Sequence, residues 1–273
     1  MKKPIAITIL LLAIFSLRVS AQSEFGFAFY DADCLYDTLP SPFYNDSDYT
    51  PDGRRGWNTE RYNRRTAQVA ALLDSMAMPV VALGGVENEQ VVRDIVAQCG
   101  CDYSYVHRTS DSFDGLDFAL LYFGDLLVPQ RVTSSRRHLA VEAKIGDAEY
   151  VFIICRKARN LVETVREVRS RKGSGIHIIA AGDLRDTEFV KAGLRDVTEG
   201  PERAGRGNVL YGNSWRMFDR IAVDDGLGAE CDVYARRYML DSEGAPAAVF
   251  EGWRYKGGTG RRLPVAGRFF RLR

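Results

Sequence analysis

The sequence has no excess of charge of either sign: 37 Lys and Arg face 36 Asp and Glu, a formal net charge of +1. A strongly basic surface is therefore absent, and the bulk composition gives no strong signal for nucleic-acid binding, although a local patch is compatible with it. Long apolar runs are missing as well. Ile5–Phe15 falls short of the ~20 residues needed to cross a bilayer, so no membrane span is expected. Internal repeats and low-complexity tracts are absent. Cysteine is sparse and odd in number: Cys34, Cys99, Cys101, Cys155 and Cys231. At least one thiol stays unpaired within a monomer. Cys99-Gly100-Cys101 is too tight for an easy mutual bridge and lacks partners for a zinc site.

What is present begins with an export signal. Lys2 and Lys3 precede the apolar run, and Val19-Ser20-Ala21 supplies a small-residue cleavage site. Residues 1–21 are expected to be removed, leaving Gln22 first and placing the protein in the periplasm or outside the cell. Losing Lys2, Lys3 and Arg18 tips the balance slightly acidic. The remaining length suits one large layered domain or two small ones.

The most informative stretch is Gly175–Asp186, G-I-H-I-I-A-A-G-D-L-R-D. Ile176–Ala181 has the length of a buried strand, Gly182 lets the chain turn, and Asp183 stands at the strand's carboxyl end, where α/β folds collect their chemistry. A carboxylate there suits a hard cation such as magnesium. It equally suits a turn or an arginine partner.

Other segments fill in the pattern. Strands are expected at Phe25–Tyr30, Pro79–Leu83, Asp117–Phe123, His138–Lys144, Tyr150–Cys155, Met217–Val223, Val249–Tyr255 and Leu263–Leu272. Helices are expected from about Thr59 to Met76, over Glu87–Gln98 and over Asn160–Arg171. Residues 38–58 and 196–207 read as loops, the second mobile. Strands in groups with helices between some of them imply a two-sheet core with helices outside. Trp215 and Trp253 are expected in the core, His177 as a satisfied core histidine, and Arg54, Arg55, Arg61, Arg64 and Arg65 on a solvated face.

Seven segments, in order, carry a family resemblance. Phe29–Thr38 looks like F-Y-N-V-E-N-L-F-D-T. Thr50–Arg55 with Trp57, Arg61 and Tyr62 looks like T-P-x-G-x-R…W…R-Y. Val80–Asn88 is similar to V-V-G-L-Q-E-V-E-N, and Gly115–Tyr122 to G-x-D-V-A-L-L-Y. Gly182–Asp186 resembles G-D-F-N-D, Trp215–Ile221 resembles W-x-M-L-D-Q-I, and Gly257–Val265 sits where G-G-x-S-D-H-x-P-V is expected. Together they resemble the endonuclease/exonuclease/phosphatase family, in particular its secreted bacterial branch. The resemblance implies a four-layered α/β sandwich, two packed mixed β-sheets flanked by helices, over residues 22–273 as one domain. It also implies cleavage of phosphate esters with a divalent metal.

The positions that perform that cleavage are where the chain departs. By resemblance, the metal-holding glutamate corresponds to Gly85, the terminal Asp-His pair to Arg261 and Arg262, and the Asn of G-D-x-N to Arg185. The opening Asn corresponds to Asp31, and the family's N-H-W segment to Cys155-Arg156-Lys157. The residual family positions are Asp31, Asp117, Asp183 and Asp219. Losing one general acid/base costs typically ~10²–10⁴ in rate, and arginine cannot deprotonate to replace it.

Three readings follow. In the first, the chain is a non-catalytic pseudoenzyme that binds a small anion or a protein partner. Arg185, Arg261 and Arg262 then pair with the remaining aspartates, serve as anion-binding candidates, and leave no metal or other cofactor expected. In the second, Asp31, Asp33, Asp183 and Asp219 form a rebuilt site for Mg or Mn in a phosphoesterase or nuclease. The third is a surface-assembly protein using its outer faces alone.

Overall fold

The computed structural model describes residues 24–158 and 161–272. The expected export signal, residues 1–21, lies outside the described residues.

Strand β1, Phe25–Leu35, shows how the sequence builds the layers. Phe25, Phe27 and Phe29 enter the core between the two sheets, whereas Ala28, Tyr30 and Ala32 enter a second core on the outer face. This is the period of two that a strand buried on both faces imposes. Over that outer face lie α1, Thr59–Met76, and α2, Glu89–Val96. Asn58 and Asn88 cap their amino ends, accepting the Arg61 and Val91 N–H groups at 3.0 Å each. The Asn88 cap is why α2 starts later than its apolar pattern suggested.

The first sheet gains β2, Val80–Val86; β3, Tyr103–His107; and β4, Asp117–Phe123. The second is built from β5, Leu127–Ser135; β6, His138–Ile145; β7, Ala148–Cys155; and, after helix α3, Leu161–Lys172, from β8, His177–Asp183. Strand β7 repeats the alternation of β1. Tyr150, Phe152 and Ile154 face the inter-sheet core, and Val151, Ile153 and Cys155 face α3.

Short pieces follow: β9, Arg195–Asp196; α4, Glu199–Arg203; and the exposed hairpin β10–β11, Val209–Tyr211 and Ser214–Arg216. Then come β12, Asp219–Val223; β13, Leu227–Val233; the hairpin β14–β15, Phe250–Glu251 and Arg254–Tyr255; and β16, Val265–Arg271. The first sheet orders as β13-β16-β1-β2-β4-β3 and the second as β5-β6-β7-β8-β12-β9. Within them β1–β2 and β7–β8 run parallel. Two mixed sheets face each other with helices outside, the expected α/β sandwich.

Several local expectations are corrected. Strands β3, β5 and β13 are additions to the expected set: polar residues dominate β5, which also holds Pro129 at a register shift on the sheet edge, and β13 interrupts its apolar residues with Gly228, Glu230 and Asp232. The stretch expected as a mobile loop, 196–207, contains α4. Residues 249–255 form a separate hairpin rather than one strand. Trp215 and Trp253 are 36% and 49% exposed rather than core. Arg65, expected in solvent, is 1% exposed. Its Nη2 donates to Tyr30 Oη, Ala32 O and Thr259 O at 2.9–3.0 Å, tying α1 to β1 and to the loop before β16.

Candidate functional site

The carboxyl ends of β1, β2 and β8 and the start of β12 meet at one mouth of the sandwich. There β1 is deformed: Asp33 and Cys34 both have positive φ, 54° and 62°, where side chains other than glycine cost roughly 1–2 kcal/mol each. The Asp33 N–H turns back to donate to Asp31 Oδ1 at 2.9 Å. Facing this kink, β2 has its own register shift between Gly84 and Val86, with Gly85 at φ 72°. A Cβ at Gly85 would stand 2.6 Å from Asp31 Oδ1. The position matched to the metal glutamate is therefore closed to any side chain while Asp31 keeps this conformation.

On the second sheet Asp183 and Asp219 stand directly opposite each other on antiparallel strands. Like charges so placed repel. Arg262 reaches in from the loop before β16 and joins them. Its Nη1 donates to Asp219 Oδ1, its Nη2 to Asp183 Oδ2 at 3.2 Å, and Nη1 lies 3.9 Å from Asp31 Oδ2. Arg185 forks onto the same Asp183 through Nε at 2.7 Å and Nη2 at 2.8 Å. Both guanidinium groups lie over the Phe218 ring, at 4.0 Å for Arg185 and 5.7 Å for Arg262. Asn208 fixes the other side of Asp219, donating Nδ2 to Oδ2 at 2.7 Å, while its own Oδ1 accepts the Phe218 N–H at 2.8 Å.

Three carboxyls thus share two arginines. Burial pushes the Asp219 carboxyl up to about 7; Arg262 opposes this, and Asp31 and Asp183 add to it. Burial works against the Arg262 charge, but Asp219, Asp31 and Asp183 outweigh it and hold the guanidinium ionised. Neither Arg185 nor Arg262 is idle, so an incoming anion would compete with Asp183 and Asp219 for them.

The cleft above this cluster encloses about 260 Å³, with Phe29, Leu116, Phe118, Cys34 and Cys155 as its apolar wall. Arg156 and Lys157 close its far side. Arg156 pairs with Asp114 and donates Nη2 to the Leu116 carbonyl at 2.9 Å.

Not every candidate joins the cluster. The placement expected for Arg261 is corrected: Asp33 Oδ2 accepts its backbone N–H at 3.2 Å, and its side chain reaches away to the Phe250 carbonyl at 3.2 Å. Asp117 lies behind the cleft, where Oδ1 accepts from Ser110 N and Oγ and Oδ2 lies 3.2 Å from His107 Nε2. His138 bonds Ser135 Oγ at 2.9 Å, and His177 faces Asp224 at 3.6 Å. None of the three histidines lines the cleft. All five cysteines are free thiols.

Nothing in the sequence marks Asn208, and Phe218 and Arg156 stand in matched segments without a role assigned to them there. Arg156 had the best signal, since it occupies the position matched to a family histidine but was counted only as a loss. Asn208 gave none beyond its place in a polar loop.

A divalent metal, which the fold family implies, does not fit these residues. Arg262 already sits among the carboxylates, Gly85 offers no ligand, and among the described residues no group of three or more His, Cys, Asp or Glu is arranged to hold a metal ion.

The sequence profile of the endonuclease/exonuclease/phosphatase family matches residues 26–175, and the chain belongs to that family. No curated protein matches it in sequence. Among solved structures, an endonuclease/exonuclease/phosphatase from Bacteroides vulgatus is 10% identical with a TM-score of 0.61, over 92% of this chain and 100% of the other. A family protein from Bacteroides thetaiotaomicron is 16% identical with a TM-score of 0.59, over 92% and 99%. TDP2 from Caenorhabditis elegans is 13% identical with a TM-score of 0.61, over 97% and 81%. At these identities the likeness is one of fold.

Proposed function

We propose that the chain is an exported pseudoenzyme of this family, a binding module whose former reaction centre is neutralised from within. The observation that carries the reading is Arg262, which bonds Asp183 and Asp219 and stands 3.9 Å from Asp31. It supplies the positive charge that such a carboxylate cluster needs, but a guanidinium has no coordination site for water and no removable proton. Gly85 supports the same reading from the other strand, because restoring a carboxylate there would require Asp31 to move.

What the cleft binds follows from its remaining groups. With Arg185 and Arg262 occupied and Arg156 held by Asp114 and the Leu116 carbonyl, recognition falls to the exposed Lys157 on the rim and to the apolar wall of Phe29, Leu116 and Phe118. A small anion or an acidic side chain of a protein partner suits those groups.

The test combines turnover with calorimetry. The purified protein is expected to leave DNA, RNA and simple phosphate esters uncleaved in magnesium or manganese, and to bind neither ion stoichiometrically. Turnover above background that vanishes in Asp183→Ala, or stoichiometric metal binding no weaker than that of Arg261→Asp/Arg262→His, refutes the proposal.

A further inference from the structure

One wall of the cleft is shaped for a flat apolar group. Gly84 on β2 lines it between two rings: a Cβ at that position would stand 3.4 Å from both Phe29 and Phe118. Leu116 continues the same wall. Two thiols complete it, and both stay neutral. Burial pushes Cys34 up to about 12, with Asp33 and Asp31 adding to it. Burial likewise pushes Cys155 up to about 12, with Asp186 and Asp183 adding.

The charged groups of the lining are committed, with one exception. Arg262 bonds Asp219 and Asp183. Arg156 pairs with Asp114, donates to the Leu116 carbonyl and lies 5.9 Å over the Phe118 ring. Asp183 also takes Arg185, and Asp31 holds the Asp33 N–H and stands 3.9 Å from Arg262. Lys157, exposed at the rim, forms no ion pair with any described residue. Over the whole lining, Asp31, Asp114 and Asp183 balance Arg156, Lys157 and Arg262. The preference therefore rests on which group is unpaired and not on net charge.

Size narrows the ligand further. The cleft encloses about 260 Å³. An apolar cavity of about 150 Å³ takes one benzene ring, and drug-sized ligands occupy about 300 Å³ or more. One ring with a short polar arm fits between these limits.

We infer that the cleft is a site for a small aromatic monocarboxylate, its ring against Phe29, Phe118 and Gly84 and its carboxylate on Lys157. This rests on the proposed function and names the small anion in it. A carboxylate asks for one cationic partner, and its ring covers the wall. A phosphate dianion would find both cluster arginines held by aspartates, leave the wall bare and have Lys157 alone. An amine of the same size would meet carboxylates that already have their partners. The acidic side chain of a protein partner carries the charge but no ring.

Calorimetric titration of the purified protein with phenylacetate tests the inference, with acetate, phenylacetamide, phenethylamine and inorganic phosphate as competitors in kind. Phenylacetate is expected to bind about tenfold or more tighter than each of them. Lys157→Met should bring phenylacetate down to the level of phenylacetamide and leave the amide unchanged. Gly84→Ala, whose methyl group meets both rings of the wall, should weaken acid and amide alike, with circular dichroism unchanged in both variants. Absence of phenylacetate binding overturns the inference. So does an amine that binds as tightly, a Lys157→Met variant that still prefers the acid to the amide, or a Gly84→Ala variant with unchanged affinity. Phosphate binding in place of phenylacetate overturns it too but leaves the proposed function standing, since that reading falls by turnover or stoichiometric metal binding.

Discussion

Asp219 and Glu87 are buried carboxyls at strand ends of different sheets, 1% and 3% exposed. Both are pushed up to about 7, with burial as the leading cause. Their company differs. Asp219 has a guanidinium in contact, whereas Glu87 has only neutral donors, the Asp37 N–H and the Tyr44 hydroxyl. An arginine beside a carboxyl ordinarily holds it low. It does not do so at Asp219 because burial outweighs it, and the charges of Asp31 and Asp183 add to the upward push. Arg262 is shared among three carboxylates, Arg185 adds a second cation on Asp183 alone, and neither guanidinium offers the coordination sites of a divalent ion in the same place.

The largest expected effect comes from removing that cation. Arg262→Ala leaves Asp31, Asp183 and Asp219 with Arg185 alone, and breaking a buried pair in this way costs about 3–5 kcal/mol. Urea unfolding at pH 8 measures the loss. It should shrink at pH 5, where Asp219 can hold a proton. An equal loss at both values would mean that Arg262 acts through packing and not through charge.

Next is Gly85→Ala. The new methyl group meets Asp31 Oδ1 and forces a side chain into φ 72°. The backbone part costs roughly 1–2 kcal/mol, and the overlap with Asp31 adds to it. The double variant with Asp31→Ala should recover the overlap but not the backbone part. A coupling of about 1 kcal/mol between the two sites is expected in the cycle, whereas strict additivity would separate Gly85 from Asp31.

A smaller and broader effect lies in the pH profile. Because both carboxyls are raised in the fold, the native state binds more protons than the unfolded chain between about pH 4 and pH 7. Their stabilising contribution is full below the unfolded values and is lost as pH rises through about 7. The slope is at most about 1.4 kcal/mol per pH unit for each group. Glu87→Gln and Asp219→Asn should each remove part of it. A flat profile in the wild type would contradict both assignments.

How far the sequence revealed this arrangement depends on what each residue does. The layers were legible because β1, β7 and β8 alternate or run apolar, and the period reports burial directly. The edge strand β5 was not, because a strand exposed on one side can be polar and still pair, and β13 was hidden because Gly228, Glu230 and Asp232 break up its apolar residues. Asp31, Asp183 and Arg262 stood out because they occupy motif positions. Of the partners that hold the cluster, Asn208 lies in a stretch without a pattern and Phe218 inside a matched segment that assigns it no part, and their role exists only once the chain folds. Arg261 shows the limit of motif matching: two adjacent residues matched one catalytic pair, yet the backbone turns one of them away. Arg65 erred in the opposite direction, since a run of arginines around a helix start reads as solvated until the fold places three oxygen acceptors beside one of them.

The smallest effect belongs to Tyr44, and it probes the Glu87 side of the comparison alone. Tyr44 Oη donates to Glu87 Oε1 at 2.8 Å while the ring rests on Gly115. Phenylalanine keeps the ring and removes only the donor, so Tyr44→Phe isolates one hydrogen bond. At pH 8 the ionised Glu87 then loses one of its two stabilising donors, at a cost of about 1–2 kcal/mol. Below pH 5 Glu87 is protonated and the loss is smaller, since a neutral acceptor gains less from the bond. The difference between the two conditions is itself a pKa change: without the donor, Glu87 is pushed further above about 7. In unfolding curves, the limb that vanishes in Glu87→Gln should shift to higher pH in Tyr44→Phe, with the Asp219 limb unmoved. A shift of both limbs together would show that the arginine cluster and the Glu87 pocket titrate as one unit and are not independent.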